Sequence, residues 1–312
     1  MRFLVSLFLT CIFMSVQISA HAQSNAQEEQ ERREKTLQNL PQNAAKRYFG
    51  TVPSAAALPS LPARAIGSYA KGCLAGAKAL HVDGSHWQVM RLNRNRNWGH
   101  PMLIDSLEKL ARQVPHLNGW GGLLIGDISQ PRGGPMLTGH ASHQIGLDAD
   151  IWLTPMPKTR LSRSEREEIR ATNMVRDDWM DVDPKAWTPQ HLPLIRAAAN
   201  EPSVERIFVN PAIKKALCRE AGAEKGWLNK VRPMWGHNYH FHIRMMCPRG
   251  EATCSGQEPP PQGDGCGKDL EDWLALQQKA MNAPKSDKPA RPKPEISLDA
   301  LPAECRQLAV MD

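Results

Sequence analysis

The sequence lacks any C-x-x-C pair, shows no internal repeat, and has no apolar run long enough to cross a bilayer once its first residues are past. Each absence narrows the possibilities. Without paired cysteines at finger spacing, the thiols are not read as zinc thiolates. Without a period, the chain is not a repeat array. The central region also lacks a compact Lys/Arg block, so the formal net charge of +7 does not point to nucleic acid. An acidic polymer of the cell envelope suits a basic exported protein better.

What is present begins with a leader. "MRFLVSLFLTCIFMSVQISAHAQ" has Arg2, an apolar stretch from Phe3 to Ile18, and the small-x-small exit Ala20-His21-Ala22. This is the pattern of a signal peptide over 1–22, cut before Gln23, rather than an anchor. The mature chain is then exported and soluble, with no stable membrane insertion. Cys11 leaves with the leader. Cys73, Cys218, Cys247, Cys254, Cys266 and Cys305 remain. An even count in an oxidising compartment implies disulfides, and spacing alone leaves the pairing open.

The 312 residues, 41% hydrophobic, are enough for a sizeable core. Residues 23–66 read as an exposed leader and an extended, Pro/Ala-rich arm. A folded domain is expected over 67–275, followed by a basic, Pro-rich linker and tail over 276–312. "PMLIDSLEKLARQVPHL" carries Leu103, Leu107, Leu110 and Val114 at helical spacing. "LSRSEREEIRATNMV" predicts a helix capped by Ser162 or Ser164. "GGLLIGDIS", "LDADIWL" and "HFHIR" read as strands, and the chain after Cys247 reads mostly as loop. The expected fold is α+β, with a small antiparallel sheet carrying the functional residues and disulfides pinning the periphery.

Two segments carry chemistry. In "GHASHQIGLDADIWL", His143 and Asp150 frame H-x-x-G-x-x-x-D, and Gly146 permits the turn between them. In "HFHIR", strand alternation puts His240 and His242 on one side and Phe241 toward a core. One of these histidines added to His143 and Asp150 makes three protein ligands with an open fourth position, the pattern of catalytic zinc. Such an ion brings a bound water's pKa to about 7, and the other histidine is free for proton transfer or oxyanion stabilisation. Each segment alone is weak; together, in an exported protein, they are specific.

H-x-x-G-x-x-x-D followed by H-x-H resembles the signature of the lysostaphin, D-Ala-D-Ala metallopeptidase and Hedgehog superfamily. "NRNWGHP", "RIFVNPAIKKALC", "KVRPMWGHNYHFHIR" and "PPPQGDGCG" extend the resemblance to the penicillin-insensitive murein endopeptidases, from about Gly67 to Trp273. The resemblance implies a periplasmic zinc enzyme that cleaves the D-alanyl–meso-diaminopimelyl crosslink of peptidoglycan without an acyl-enzyme. It implies His143, Asp150 and His242 as Zn2+ ligands, with His240 or His237 as the base. It also implies the pairs Cys73–Cys305, Cys218–Cys266 and Cys247–Cys254. His140 and Asp177 match cleft or second-metal positions, but Met180 stands where the family carries a histidine. One catalytic ion is therefore expected, and a second is not assigned.

Other residues have plainer expectations. Asp148 is expected to be exposed or to cap a turn, with a supporting role behind Asp150 as the alternative. Arg244 is either a surface residue or close to a substrate carboxylate. Trp235 and Tyr239 either line a cleft or pack in the core. Two other functions stay open at this point. One is a D,D-carboxypeptidase or dipeptidase on the same scaffold; the other is a non-catalytic zinc-containing module that binds the cell wall.

Overall fold

The computed structural model of the protein describes residues 27–284 and 294–311. The signal peptide expected over 1–22 and the linker residues 285–293 lie outside them. In chain order the first elements are α1 (27–39), α2 (Ala45–Phe49), β1 (Arg64–Ser68), β2 (Lys71–Ala75) and β3 (Lys78–Ala79). Next come β4 (Trp87–Val89), β5 (Trp98–Gly99), α3 (Pro101–Asn118), β6 (Leu123–Ile125), β7 (Asp148–Trp152) and α4 (Arg163–Glu168). The rest are α5 (His191–Asn200), β8 (Val204–Val209), α6 (Pro211–Glu220), β9 (Val231–Pro233), β10 (His240–Met245), α7 (Lys268–Asn282) and α8 (Ala303–Ala309).

Local signals set the helix ends. The His100 side chain accepts the Met102 N–H, Pro101 opens α3, and Gly119 ends it at φ 77°. The face carrying Leu103, Leu107, Leu110 and Val114 is buried, as its spacing predicts. Asn210 and Pro211 open α6 in the same manner. Ser162 and Glu165 form a capping box on α4, but that helix ends at Glu168, well before Val175. Segment 276–282, expected as linker, continues α7.

The fold is α+β, but the sheet is neither small nor purely antiparallel. Six strands run in the order β4-β6-β7-β10-β8-β9. The outer pairs β4/β6 and β8/β9 are parallel. The reason is the crossover: α3 lies between β4 and β6 in the chain, and α6 between β8 and β9. The inner strands β6, β7, β10 and β8 pair antiparallel. Phe241 and Ile243 of β10 point into the main core with Ala149 and Ile151 of β7, so the opposite face of both strands is free to carry polar groups.

A second, smaller core joins α2, the β1/β2 hairpin and α8 around Phe49, Ile66 and Leu308. The Cys73–Cys305 disulfide lies within it and ties the tail to β2. Cys218–Cys266 holds α6 to the segment before α7, and Cys247–Cys254 closes the loop after β10. All three pairs are those that the family resemblance implies.

Lys214 of α6 is buried beside the second of these disulfides. Its Nζ donates to the carbonyls of Leu228 and Asp264 at 2.7 and 2.6 Å, which a neutral amine with two N–H donors can satisfy. Burial, helped by Arg232, pushes its pKa from 10.5 down to about 7. Between these values the unfolded chain holds a proton that the folded chain has lost, so this group makes stability rise with pH from about 7 toward 10.5. Lys214→Met is expected to remove that rise. By stranding two carbonyls it also costs about 2–5 kcal/mol. Denaturant titrations of both proteins at neutral and mildly alkaline pH check this; parallel pH dependences would refute it.

Candidate metal centre

The site forms where β7 meets β10. In their antiparallel register His242 lies opposite Asp150, and Arg244 opposite Asp148. The loop before β7 brings in His143. Gly146 turns that loop at φ 70°, where an added Cβ would sit 2.4 Å from Leu74 Cδ2 and 2.8 Å from the His100 nitrogen. His143 itself has φ 68°, an unfavourable backbone for a histidine. Asp148 Oδ2 accepts its N–H at 3.0 Å and helps hold it there.

The side chains then converge on one carboxylate oxygen. Asp150 Oδ1 is 3.5 Å from His143 Nε2, 3.5 Å from His240 Nε2 and 3.6 Å from His242 Nδ1. Asp150 Oδ1 and His143 Nε2 are buried, and neither has a hydrogen-bond partner among the described residues. Unpaired buried polar atoms are costly, so facing orphans indicate a missing partner common to both. The opposite ring nitrogens are occupied. His143 Nδ1 donates to the Ile128 carbonyl at 2.5 Å, and His242 Nε2 donates to Asp148 Oδ1 at 2.8 Å. These bonds leave a lone pair on His143 Nε2 and on His242 Nδ1, both facing Asp150.

His140 completes a second grouping. Its ligand atom lies with those of His143 and Asp150, all within 4.8 Å of one another. However, His140 Nε2 is already paired with Asp127 Oδ2 at 3.1 Å and lies 3.5 Å from Asp150 Oδ2. The donor set of oxygen and imidazole nitrogen suits zinc.

A family model described as penicillin-insensitive murein endopeptidase matches residues 65–310. The chain belongs to this family. It is 44% identical over 239 residues to the penicillin-insensitive murein endopeptidase of Klebsiella pneumoniae (strain 342), covering 76% of this chain and 86% of that one. The protein of that name from Haemophilus influenzae is 48% identical over 209 residues, 67% of this chain and 72% of the relative. One from Escherichia coli O1:K1 / APEC is 43% identical over 247 residues, 79% and 86% of the two chains.

Electrostatics fits a cation at the centre. Burial would raise the Asp150 pKa, but the adjoining histidines, His240 foremost, hold it well below the usual carboxylate range. Burial pushes His240 down to about 4 and His242 to about 3. At neutral pH the centre therefore holds an ionised carboxylate facing the neutral imidazoles of His240 and His242.

Asp148 is buried, contrary to the exposed or turn-capping role expected of it. Its carboxylate also accepts from Arg244 Nε at 2.7 Å and Nη2 at 3.3 Å. Arg244 is no surface residue either: it is buried, with its guanidinium 4.2 Å from the Tyr69 ring and 5.0 Å from that of Phe208. His237, in the loop before β10, donates Nδ1–H to the Trp235 carbonyl at 2.8 Å, and its ring lies 4.9 Å from that of His240. Trp235 and Tyr239 are exposed near the histidines rather than packed in the core. Asp177 is exposed and outside the histidine grouping.

Sequence reasoning missed Asp127. It follows β6, is buried, and accepts from Arg96 at 2.8 Å and Arg94 at 3.1 Å besides pairing with His140. The only sign of it was a lone acid after the apolar run "LLIG".

Proposed function

We propose that the protein is a zinc-dependent murein endopeptidase of the periplasm, acting on the D-alanyl–meso-diaminopimelyl crosslink of peptidoglycan. The observation that carries this reading is Asp150 Oδ1, buried without a hydrogen bond and faced by three imidazole nitrogens. Family membership supplies the substrate class. His143, Asp150 and His242 are the proposed ligands. His242 is preferred to His140 because Asp148 leaves its Nδ1 lone pair toward Asp150, whereas His140 is engaged with Asp127.

When bound, zinc would supply Lewis-acid polarisation of the scissile carbonyl and an acidified water. The remaining work belongs to the chain. Asp148 and the Ile128 carbonyl fix the tautomers of His242 and His143. His240, whose Nδ1 is buried and unpartnered, is the proposed proton carrier, with His237 next to it. A neutral imidazole in that position can take a proton and return it to the departing amine. No covalent acyl-enzyme is required.

The test is digestion of purified crosslinked muropeptide dimers by mature protein, with and without chelator, alongside His240→Ala. Monomer release that chelation abolishes is expected. His240→Ala should retain its metal and lose about 10²- to 10⁴-fold in rate. Cleavage that persists after verified metal removal would refute zinc dependence. Cleavage of monomeric pentapeptides alone would assign a carboxypeptidase.

A further inference from the structure

Beside the metal centre lies a cleft of about 250 Å³ whose lining includes Asp150, His140 and three arginines, Arg91, Arg94 and Arg170. Two of the three cations are committed within the protein. Arg91 donates from Nη1 and Nη2 to the carbonyls of Arg166 and Ile169 at 2.6 and 2.8 Å, and its guanidinium lies 5.1 Å from the centre of the Trp152 ring. Arg94 Nη1 pairs with Asp127 at 3.1 Å. Arg170 differs. It is exposed at the cleft, and among the described residues it makes no hydrogen bond or ion pair.

The placement of Arg170 is built into the fold. Arg91 holds the carbonyls at the end of α4, and Arg170 is the residue directly after them. Arg91 itself has a left-handed backbone, φ 56°. Arg94 is committed on its other nitrogen too: Nε, buried without a hydrogen bond, lies 4.0 Å from Glu29 Oε1. The acids of the cleft do not cancel the arginines. Asp127 is shared among Arg94, Arg96 and His140, and Asp150 Oδ1 faces the histidines. The cleft thus presents one uncommitted guanidinium, that of Arg170, beside the metal centre.

We propose that Arg170 is a carboxylate subsite for the amine side of the scissile bond. The proposal rests on the endopeptidase reading of the adjoining centre. In the crosslink, the diaminopimelyl carbon that bears the scissile nitrogen also bears a free carboxylate. A planar guanidinium can take that group through two parallel hydrogen bonds, and in doing so orients the amide. An uncrosslinked pentapeptide offers the same chemistry on its terminal D-alanine, so the test must separate the two sources.

Three substrates do so: the crosslinked dimer, the same dimer with this carboxylate converted to carboxamide, and the monomeric pentapeptide. Wild type is expected to show a KM about tenfold lower for the carboxylate dimer than for the carboxamide, with similar kcat. Arg170→Gln should erase that preference, giving similar KM values for the two dimers. Arg170→Lys should recover part of it. A preference unchanged in Arg170→Gln would overturn the subsite. A loss confined to the pentapeptide would overturn the crosslink assignment. If wild type cuts neither dimer, the endopeptidase reading fails, and calorimetric binding of the intact dimers decides the subsite separately. Tighter binding of the carboxylate dimer that Arg170→Gln abolishes would sustain it, and equal binding would refute it.

Discussion

Alanine at Asp150 is expected to empty the proposed metal site and lower endopeptidase activity by about 10³-fold or more. The size of the effect follows from how the carboxylate is held. It is buried, it is ionised, and its Oδ1 meets no hydrogen-bond donor among the described residues while three imidazole nitrogens surround it. In the metal-free protein that arrangement is a cost, because a buried charge lacks a full set of partners. A bound cation converts the cost into stabilisation of the native state alone. At a hundredfold excess over Kd that linkage contributes about 2.7 kcal/mol. Zinc should therefore raise the Tm of wild type and leave that of Asp150→Ala unchanged, while metal analysis falls from one zinc per chain to none. Asp150→Asn keeps the volume and one acceptor oxygen without the charge, and should resemble alanine in metal content. If either variant retains a full complement of zinc, Asp150 is not a ligand.

Much of this centre was legible because its parts depend on short-range pattern. Alternation in "HFHIR" puts Phe241 in the core, leaving His240 and His242 together on the other face. The glycine between His143 and Asp150 marked a turn, and Gly146 supplies it with a left-handed backbone. What escaped depends on pairing between distant segments. Asp148 and Arg244 each satisfied a strand alternation, but neither sequence stretch specifies that β7 and β10 align them directly opposite one another. The outer parallel strands were likewise hidden, since strand order is set by the crossovers through α3 and α6. Helix α7 was missed for a different reason. Leu270, Trp273 and Leu274 do stand at helical spacing, but the stretch is short, lies among loop and Pro-rich segments, and buries only Leu270 and Gln277.

Removing the Asp148 carboxylate is expected to be the most damaging single change behind the metal centre. The group receives His143 N–H, His242 Nε2–H and two donors of Arg244, all at 2.7–3.3 Å. Asp148→Ala leaves the Arg244 cation buried between Tyr69 and Phe208 with its main counter-charge gone, which costs about 3–5 kcal/mol. It also frees the His242 ring to rotate or change tautomer, so zinc affinity should fall by about 10–100-fold. These two losses have different origins and can be separated. Pairing Asp148→Asn with Arg244→Met removes both buried charges at similar volume and should recover much of the stability. It cannot restore a carboxylate acceptor at His242 Nε2, so the zinc affinity should stay low. Denaturant titration and competitive zinc binding on the single and double variants measure the two quantities independently. If the double variant recovered both together, Asp148 would act on the centre only through general stability; if stability alone returned, its role would be to hold His242 in place.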